Sequence, residues 1–245
     1  MCGIVGYTGS LQAKDVLLEG LKRLEYRGYD SAGIAVFDGE KLNIVKRLGK
    51  VSELVDAIGD DACIGTCGIG HTRWATHGAP SERNAHPHTS CASDIAVVHN
   101  GIIENFSELR EELIGLGHHF ESDTDTEVVA HLVEQAYNGN LLEAVRIAAS
   151  RLVGAYGLAV TCEQEPGTIV VTRKDSPIVL GHGESGSYVA SDIIAVIEAT
   201  RDVVIMEDNQ FAVMTPDAIT YFDEQGNQIE PEITHVDWDI DVAEK

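Results

Sequence analysis

The feature that most constrains this chain is a change of period at Ala155. Beyond it, short apolar runs recur at about 155–162, 168–173, 177–181, 187–190, 202–206, 211–215 and 218–223, separated by Gly, Asp, Asn and Pro. Runs of this length bounded by turn residues predict strands, with one short helix near 192–198. Ahead of Ala155 the pattern is mixed. Segments 3–8, 33–38, 42–47, 65–74 and 95–99 read as strands, and Asp38-Gly39 as the turn joining the second and third. Segments 11–26, 51–58, 104–116, 125–138 and 140–152 carry helical apolar stripes. Thr124-Asp125-Thr126-Glu127 has the form of a capping box opening the fourth of these helices. Many antiparallel strands beside a block of helices predict an α+β sandwich of sheets covered by helices. Residues 1–229 are expected to form the domain. Residues 230–245, acidic and without period, are expected to be a linker stub.

Charge narrows the function classes. With 17 Lys and Arg against 40 Asp and Glu, the net charge of −23 repels nucleic acid and anionic membrane. Such acidity with so little Lys also resembles proteins of salt-rich cytoplasm. No window of about 18 apolar residues predicts a membrane span. The start MCGIVGYTGS lacks the basic flank and apolar core of a signal peptide, so a cytoplasmic location is expected. The cysteines Cys2, Cys63, Cys67, Cys91 and Cys162 are odd in number and contain no CxxC pair, against a disulfide framework and a thiolate zinc site.

Three motif matches lead nowhere. Gly181-His182-Gly183-Glu184-Ser185-Gly186 fits GxGxxG, but a strand pattern follows it where a helix is required, so a hairpin is predicted. The acidic run Asp123-x-Asp125-x-Glu127 has Val128 where a calcium loop needs Gly. His86-Pro87-His88 near Cys91 offers zinc-type ligands, but a polar loop accounts for them.

Other residues carry chemistry. Removal of Met1 would leave Cys2 first, its thiol (pKa about 8.5) beside its own free amine (about 8). That amine can act as the local base for the thiol. Thiol attack on an amide creates an oxyanion, which needs preorganised donors. Asn100 offers a side-chain amide and Gly101 a backbone N–H, both expected just after a strand. Arg73 can clamp a carboxylate bidentately, and Asp125 can accept from an ammonium group. The loop from Trp74 to Pro80 can close over such a site. Taken singly, Asn100-Gly101 is a turn signal, Asp125 a helix cap and Arg73 a surface charge. Their joint occurrence points to amide chemistry.

The segments MCGIVG, RLEYRGYDSAG, HTRWATHG, NAHPH and HNGIIEN resemble the class II glutamine amidotransferases, which are N-terminal nucleophile hydrolases. Within that class they are most similar to the glutaminase domains of glucosamine-6-phosphate synthases (glutamine–fructose-6-phosphate aminotransferases, isomerising). The resemblance runs from Cys2 to about residue 225. It implies a four-layer αββα sandwich of two antiparallel sheets between helices. It also implies Cys2 as nucleophile, a γ-glutamyl thioester, and Asn100 and Gly101 as the oxyanion hole. By the same resemblance Arg73, Thr76, His77 and Asp125 bind L-glutamine, Trp74 gates ammonia transfer, and Arg27 supports Cys2. No metal or organic cofactor is implied. Fructose 6-phosphate would be handled only by C-terminal domains beyond this chain, and the full-length protein is expected to be a homo-oligomer. Two alternatives stand beside this: an amidophosphoribosyltransferase-like glutaminase, whose motifs typically read RGQES and TRYST, and a non-catalytic binding module on the same fold.

Overall fold

In the first strand β1 (Gly3–Gly9) apolar side chains project to both faces, which suits only a strand covered on both sides. The structure, a computed structural model, describes residues 2–59 and 62–237, and β1 lies inside its larger sheet. Numbered in chain order, that sheet runs β15 (Thr234–His235), β11 (Asp202–Ile205), β9 (Val179–Gly183), β10 (Gly186–Ala190), β1, β4 (Cys67–Arg73), β2 (Ser31–Phe37) and β3 (Leu42–Leu48). The second sheet runs β14 (Gln228–Ile229), β13 (Ile219–Phe222), β12 (Phe211–Met214), β8 (Ile169–Lys174), β7 (Gly154–Cys162), β6 (Ile95–Ile103) and β5 (His88–Thr89). Neighbouring strands pair antiparallel.

The two-residue period of the strands sorts their side chains into three apolar layers. Ile4, Ile69, Val98, Val171 and Val189 fill the space between the sheets. Val5, Tyr7, Ile34 and Val36 face the other way, under α1 (Ala13–Leu24) and α2 (Val51–Ile58), which bury Leu17, Leu21 and Leu54 against them. On the second sheet Val97, Leu158 and Val160 meet α3 (Phe106–Gly115), α4 (Glu127–Ala136) and α5 (Leu141–Ser150) through Leu113, Val129, Val133 and Val145. The result is the expected αββα order of layers. No helix among the described residues is long and apolar enough to cross a membrane.

Four details depart from, or refine, the sequence reading. The strand expected to stop at His99 continues to Ile103, so Asn100 and Gly101 lie within β6, paired with Gly157 and Tyr156. The capping box does not form. Thr126 precedes α4 with helical backbone and no side-chain cap, and the Glu127 carboxylate instead accepts from the amides of Glu121 and Ser122, both at 2.7 Å. Thr124 is occupied elsewhere, with Ser122 Oγ at 2.9 Å and His88 Nε2 at 3.0 Å. The GxGxxG segment is the β9–β10 hairpin. Part of the acidic tail, Thr234–His235, is an edge strand on β11, and Val236 is buried; residues 238–245 lie outside the described residues.

Candidate active site

Cys2 stands at the mouth of β1, where Gly3 pairs with Thr72 of β4. That register sets the thiol beside the end of β4, and Trp74 brackets it with its backbone. The Trp74 N–H donates to Cys2 Sγ at 3.2 Å, and the thiol donates to the Trp74 carbonyl at 3.5 Å. Burial pushes the thiol's pKa up, against the Trp74 amide and the Arg73 charge, which draw it down. A thiol in this state is mostly protonated near neutrality and needs a base to become a nucleophile.

Asn100 approaches from the other sheet. Its Nδ2 donates to the Cys2 carbonyl at 3.2 Å, and its Oδ1 lies 3.0 Å from His71 Nε2 on β4. Burial drives the His71 pKa down to about 3, so the ring is neutral. As placed, the Asn100 oxygen faces the ring, an orientation in which Nε2 donates to it. His71 stacks on His86, with centroids 4.1 Å apart and planes at 13°. His86 Nδ1 in turn accepts from the His99 amide at 3.3 Å. The Asn100 side chain is thus held between the Cys2 carbonyl and His71, which is backed in turn by His86. Gly101 next to it has φ +128°, and a Cβ there would overlap the Ala155 carbonyl oxygen, so only glycine fits.

Arg73 is 3% exposed. Its Nη2 donates to the carbonyls of His77 and, at 2.8 Å, Gly78, which ties down the loop after β4. The same loop is held by Asp30, which accepts from the Ala75 amide, and by Asn84 Nδ2, which donates to the Ala79 carbonyl at 2.9 Å. Asp125, buried before α4, accepts from the Ile103 amide at 2.8 Å through Oδ2. Trp74 is half exposed, and its ring lies over Gly28, where a Cβ would come within 2.7 Å of it.

These residues converge on Cys2 from two sides. A narrow cleft is lined by Arg73, Thr76, His77, His99, Gly101 and Asp125, with Cys2 and Trp74 at its edge. Three of its residues each hold a buried nitrogen with no partner among the described residues: Arg73 Nη1, His77 Nδ1 and His99 Nε2. Unmet donors and acceptors of this kind suit a polar ligand, but the cleft holds only about 10 Å³ as it stands, so the loop after β4 must move aside to admit one. A wider cavity of about 390 Å³ opens on the other side, where Arg27, Asn100, Ile102 and Pro177 join Cys2 and Trp74. Arg27 Nη1 donates to the Ser191 carbonyl at 3.1 Å and pairs with Asp192 at 3.3 Å. Every residue singled out in the sequence therefore lines one or other space.

The geometry modifies one expectation. Because Nη2 of Arg73 is spent on the loop, its offer to a ligand runs through Nη1 and not through the whole fork. The sequence reading also missed His71, His86 and His99 as site residues. They sit inside the quoted motifs, but one sequence does not say which histidine of several faces a site. Cys91 does not join His86 and His88 as the zinc reading required; its neighbours are His118 and His131.

Two antiparallel sheets between helical layers, with a thiol heading a central strand, define the N-terminal nucleophile class of amidotransferases. The chain belongs to the glutamine amidotransferase domain family, whose model matches residues 71–198. It is 50% identical over 245 residues to the glutamine–fructose-6-phosphate aminotransferase (isomerizing) of Clostridium tetani, covering 100% of this chain and 40% of the relative. The protein of the same name from Thermus thermophilus is 51% identical, with the same coverage. The chain thus spans about 40% of the length of these curated relatives. Among solved structures, glutamine phosphoribosylpyrophosphate amidotransferase from B. subtilis superposes with a TM-score of 0.79 at 27% identity, over 93% of this chain and 50% of that one.

Proposed function

We propose that this chain hydrolyses the side-chain amide of L-glutamine through a thioester on Cys2, with the roles that follow. The Cys2 amine, freed by loss of Met1, takes the thiol proton, and Sγ attacks the glutamine Cδ. Met1 itself lies outside the described residues. Asn100 Nδ2 and the Gly101 N–H stabilise the oxyanion. The intermediate collapses to a γ-glutamyl thioester as the amine returns its proton to the departing ammonia. Water, activated by the same amine, then cleaves the thioester to glutamate and restores the thiol. Arg73 Nη1 receives the substrate carboxylate and Asp125 its ammonium group. Thr76 and His77 complete that end, while Trp74 borders both spaces and Arg27 lines the wider one.

One observation carries the reading: an amide nitrogen bonded to the Cys2 backbone and backed by a neutral, buried histidine, beside a cleft whose buried nitrogens have no partner among the described residues. In a longer protein, ammonia would pass to fructose 6-phosphate, with residues 1–229 as the glutaminase unit and the segment after them leading to the acceptor's domains. The 50% identity to fructose-6-phosphate aminotransferases favours this acceptor over the phosphoribosyl one, whose enzyme stands at 27%. The composition suits a salt-rich cytoplasm.

The test is covalent. A diazoketone analogue of glutamine should add once, on Cys2, by intact mass and peptide mapping. Cys2→Ala should lose both the adduct and glutamate release. Glutamate release that survives Cys2→Ala would end the proposal.

A further inference from the structure

The outer end of α4 carries a second group of chemistry-bearing side chains, far from any role in the proposed reaction. Cys91 lies in the turn between β5 and β6, His118 in the connection from α3 to α4, and His131 and Glu134 one turn apart on α4. One donor atom from each lies within 4.8 Å of all the others. The closer distances are 3.6 Å from Cys91 Sγ to Nδ1 of both His118 and His131. Glu134 Oε2 is 2.9 Å from His118 Nδ1 and 3.3 Å from His131 Nδ1.

These distances are four of the six edges of a candidate metal tetrahedron. With zinc bonds of about 2.3 Å to sulfur and about 2.0–2.1 Å to nitrogen and oxygen, the sulfur–nitrogen edge is about 3.5 Å and the nitrogen–oxygen edge about 3.3 Å. Of these four edges, only the one from Glu134 Oε2 to His118, at 2.9 Å, must lengthen to admit the ion. We propose that Cys91, His118, His131 and Glu134 form a structural zinc site.

The surroundings match what zinc ligands need beyond the ion. The His119 amide donates to Cys91 Sγ at 3.4 Å, a bond that a metal-bound sulfur can keep. The Ala92 amide donates to the other Glu134 oxygen, Oε1, at 3.3 Å, leaving Oε2 for the metal. His131 Nε2, on the far side of its ring, faces the buried Glu127 carboxylate at 3.6 Å, close enough for that carboxylate to accept from it after a small closure. One thiolate with two imidazoles and one carboxylate is a zinc-type donor set, and four protein ligands leave no open position for catalysis. The role is to fasten the β5–β6 turn and the α3–α4 connection to α4. Asp125 and Thr126 immediately precede that helix, so the clamp steadies one wall of the cleft.

Cobalt(II) replaces zinc and reports geometry. The titration is made on the full chain carrying Cys2→Ala, because the Cys2 thiol and amine are themselves a chelator. One cobalt per chain should give the strong visible bands of tetrahedral coordination with a thiolate charge-transfer band, all erased by one equivalent of zinc. Adding Cys91→Ser should abolish the charge-transfer band. His118→Ala, at a half-buried position on a different connection, should weaken zinc at least by the roughly 10–100-fold that loss of an outer partner costs. Circular dichroism checks that both variants fold, and the cobalt spectrum of the parent stands without them. Zinc at about 100 times its Kd should raise the parent's Tm by about 5 °C and leave Cys91→Ser unmoved. An octahedral, weakly coloured cobalt complex, or equal zinc affinity in parent and Cys91→Ser, would overturn the site and reduce the cluster to a hydrogen-bond network.

Discussion

Replacing Asn100 separates the two tasks assigned to its amide. In Asn100→Ala the donor near Cys2 disappears, and the His71 Nε2 proton loses its acceptor at 3.0 Å. Loss of one oxyanion donor lowers kcat by about 10²–10³-fold, or roughly 2.7–4 kcal/mol. The stranded, fully buried His71 donor costs a further 1–3 kcal/mol or so, in stability rather than rate. For a chain of this size that lowers Tm by roughly 3–10 °C. Asn100→Asp keeps an acceptor for His71 but removes the donor and adds charge where the oxyanion forms. It should lose at least as much kcat while keeping more of its Tm. The assay is glutamate release under saturating glutamine, with calorimetry on the same samples. An Asn100→Ala protein within about fivefold of the parent kcat would refute the oxyanion role. Equal Tm losses in the two variants would refute the His71 brace.

Three further outcomes follow from neighbouring residues. Arg73→Lys loses the geometry that lets one nitrogen hold the loop and another meet a carboxylate, so KM for glutamine should rise about 10²-fold with a smaller change in kcat, read from steady-state kinetics. Gly101→Ala places a Cβ on the Ala155 carbonyl at φ +128°, adding about 1–3 kcal/mol of strain; kcat should fall about 10²-fold as β6 shifts, and parent-like kinetics would contradict the packing. His71, His86, His88 and His99 are held neutral by burial, His71 down to about 3, whereas in the unfolded chain each takes a proton below about pH 6.5. Stability should therefore be full above that value and fall as pH drops toward 3, by up to about 1.4 kcal/mol per pH unit for each histidine; urea midpoints that stay level from pH 7 to 5 would contradict this.

Much of the architecture was legible because period is local. Ile4, Val5 and Tyr7 read as a buried strand, and the runs after Ala155 read as strands, because side-chain alternation needs no knowledge of partners. Where β6 ends was not legible. Asn100-Gly101 has the composition of a turn, and only pairing with Tyr156 and Gly157 keeps it extended. Glu127 likewise reads as a capping residue until the chain before it folds back to offer the Glu121 and Ser122 amides. At the site, Cys2, Arg73 and Asn100 could be named from motifs, but the histidine column behind Asn100 depends on how the two sheets stack. The Cys91 cluster was invisible for a related reason. Its partners His118 and His131 stand 27 and 40 residues away, and the one short spacing in the group, His131 to Glu134, is common on any helix. His86 and His88, nearer in sequence, are engaged in the column.

In the proposed reaction the base is supplied by the nucleophile's own residue. The most direct measurement is the glutaminase rate of protein that carries one uncleaved residue before Cys2, compared with the same sample after an aminopeptidase removes it, with intact mass confirming each state. Ammonia release should be absent before trimming and appear in proportion to the free Cys2 terminus, climbing with pH through about 8. A full rate from the untrimmed chain would contradict it.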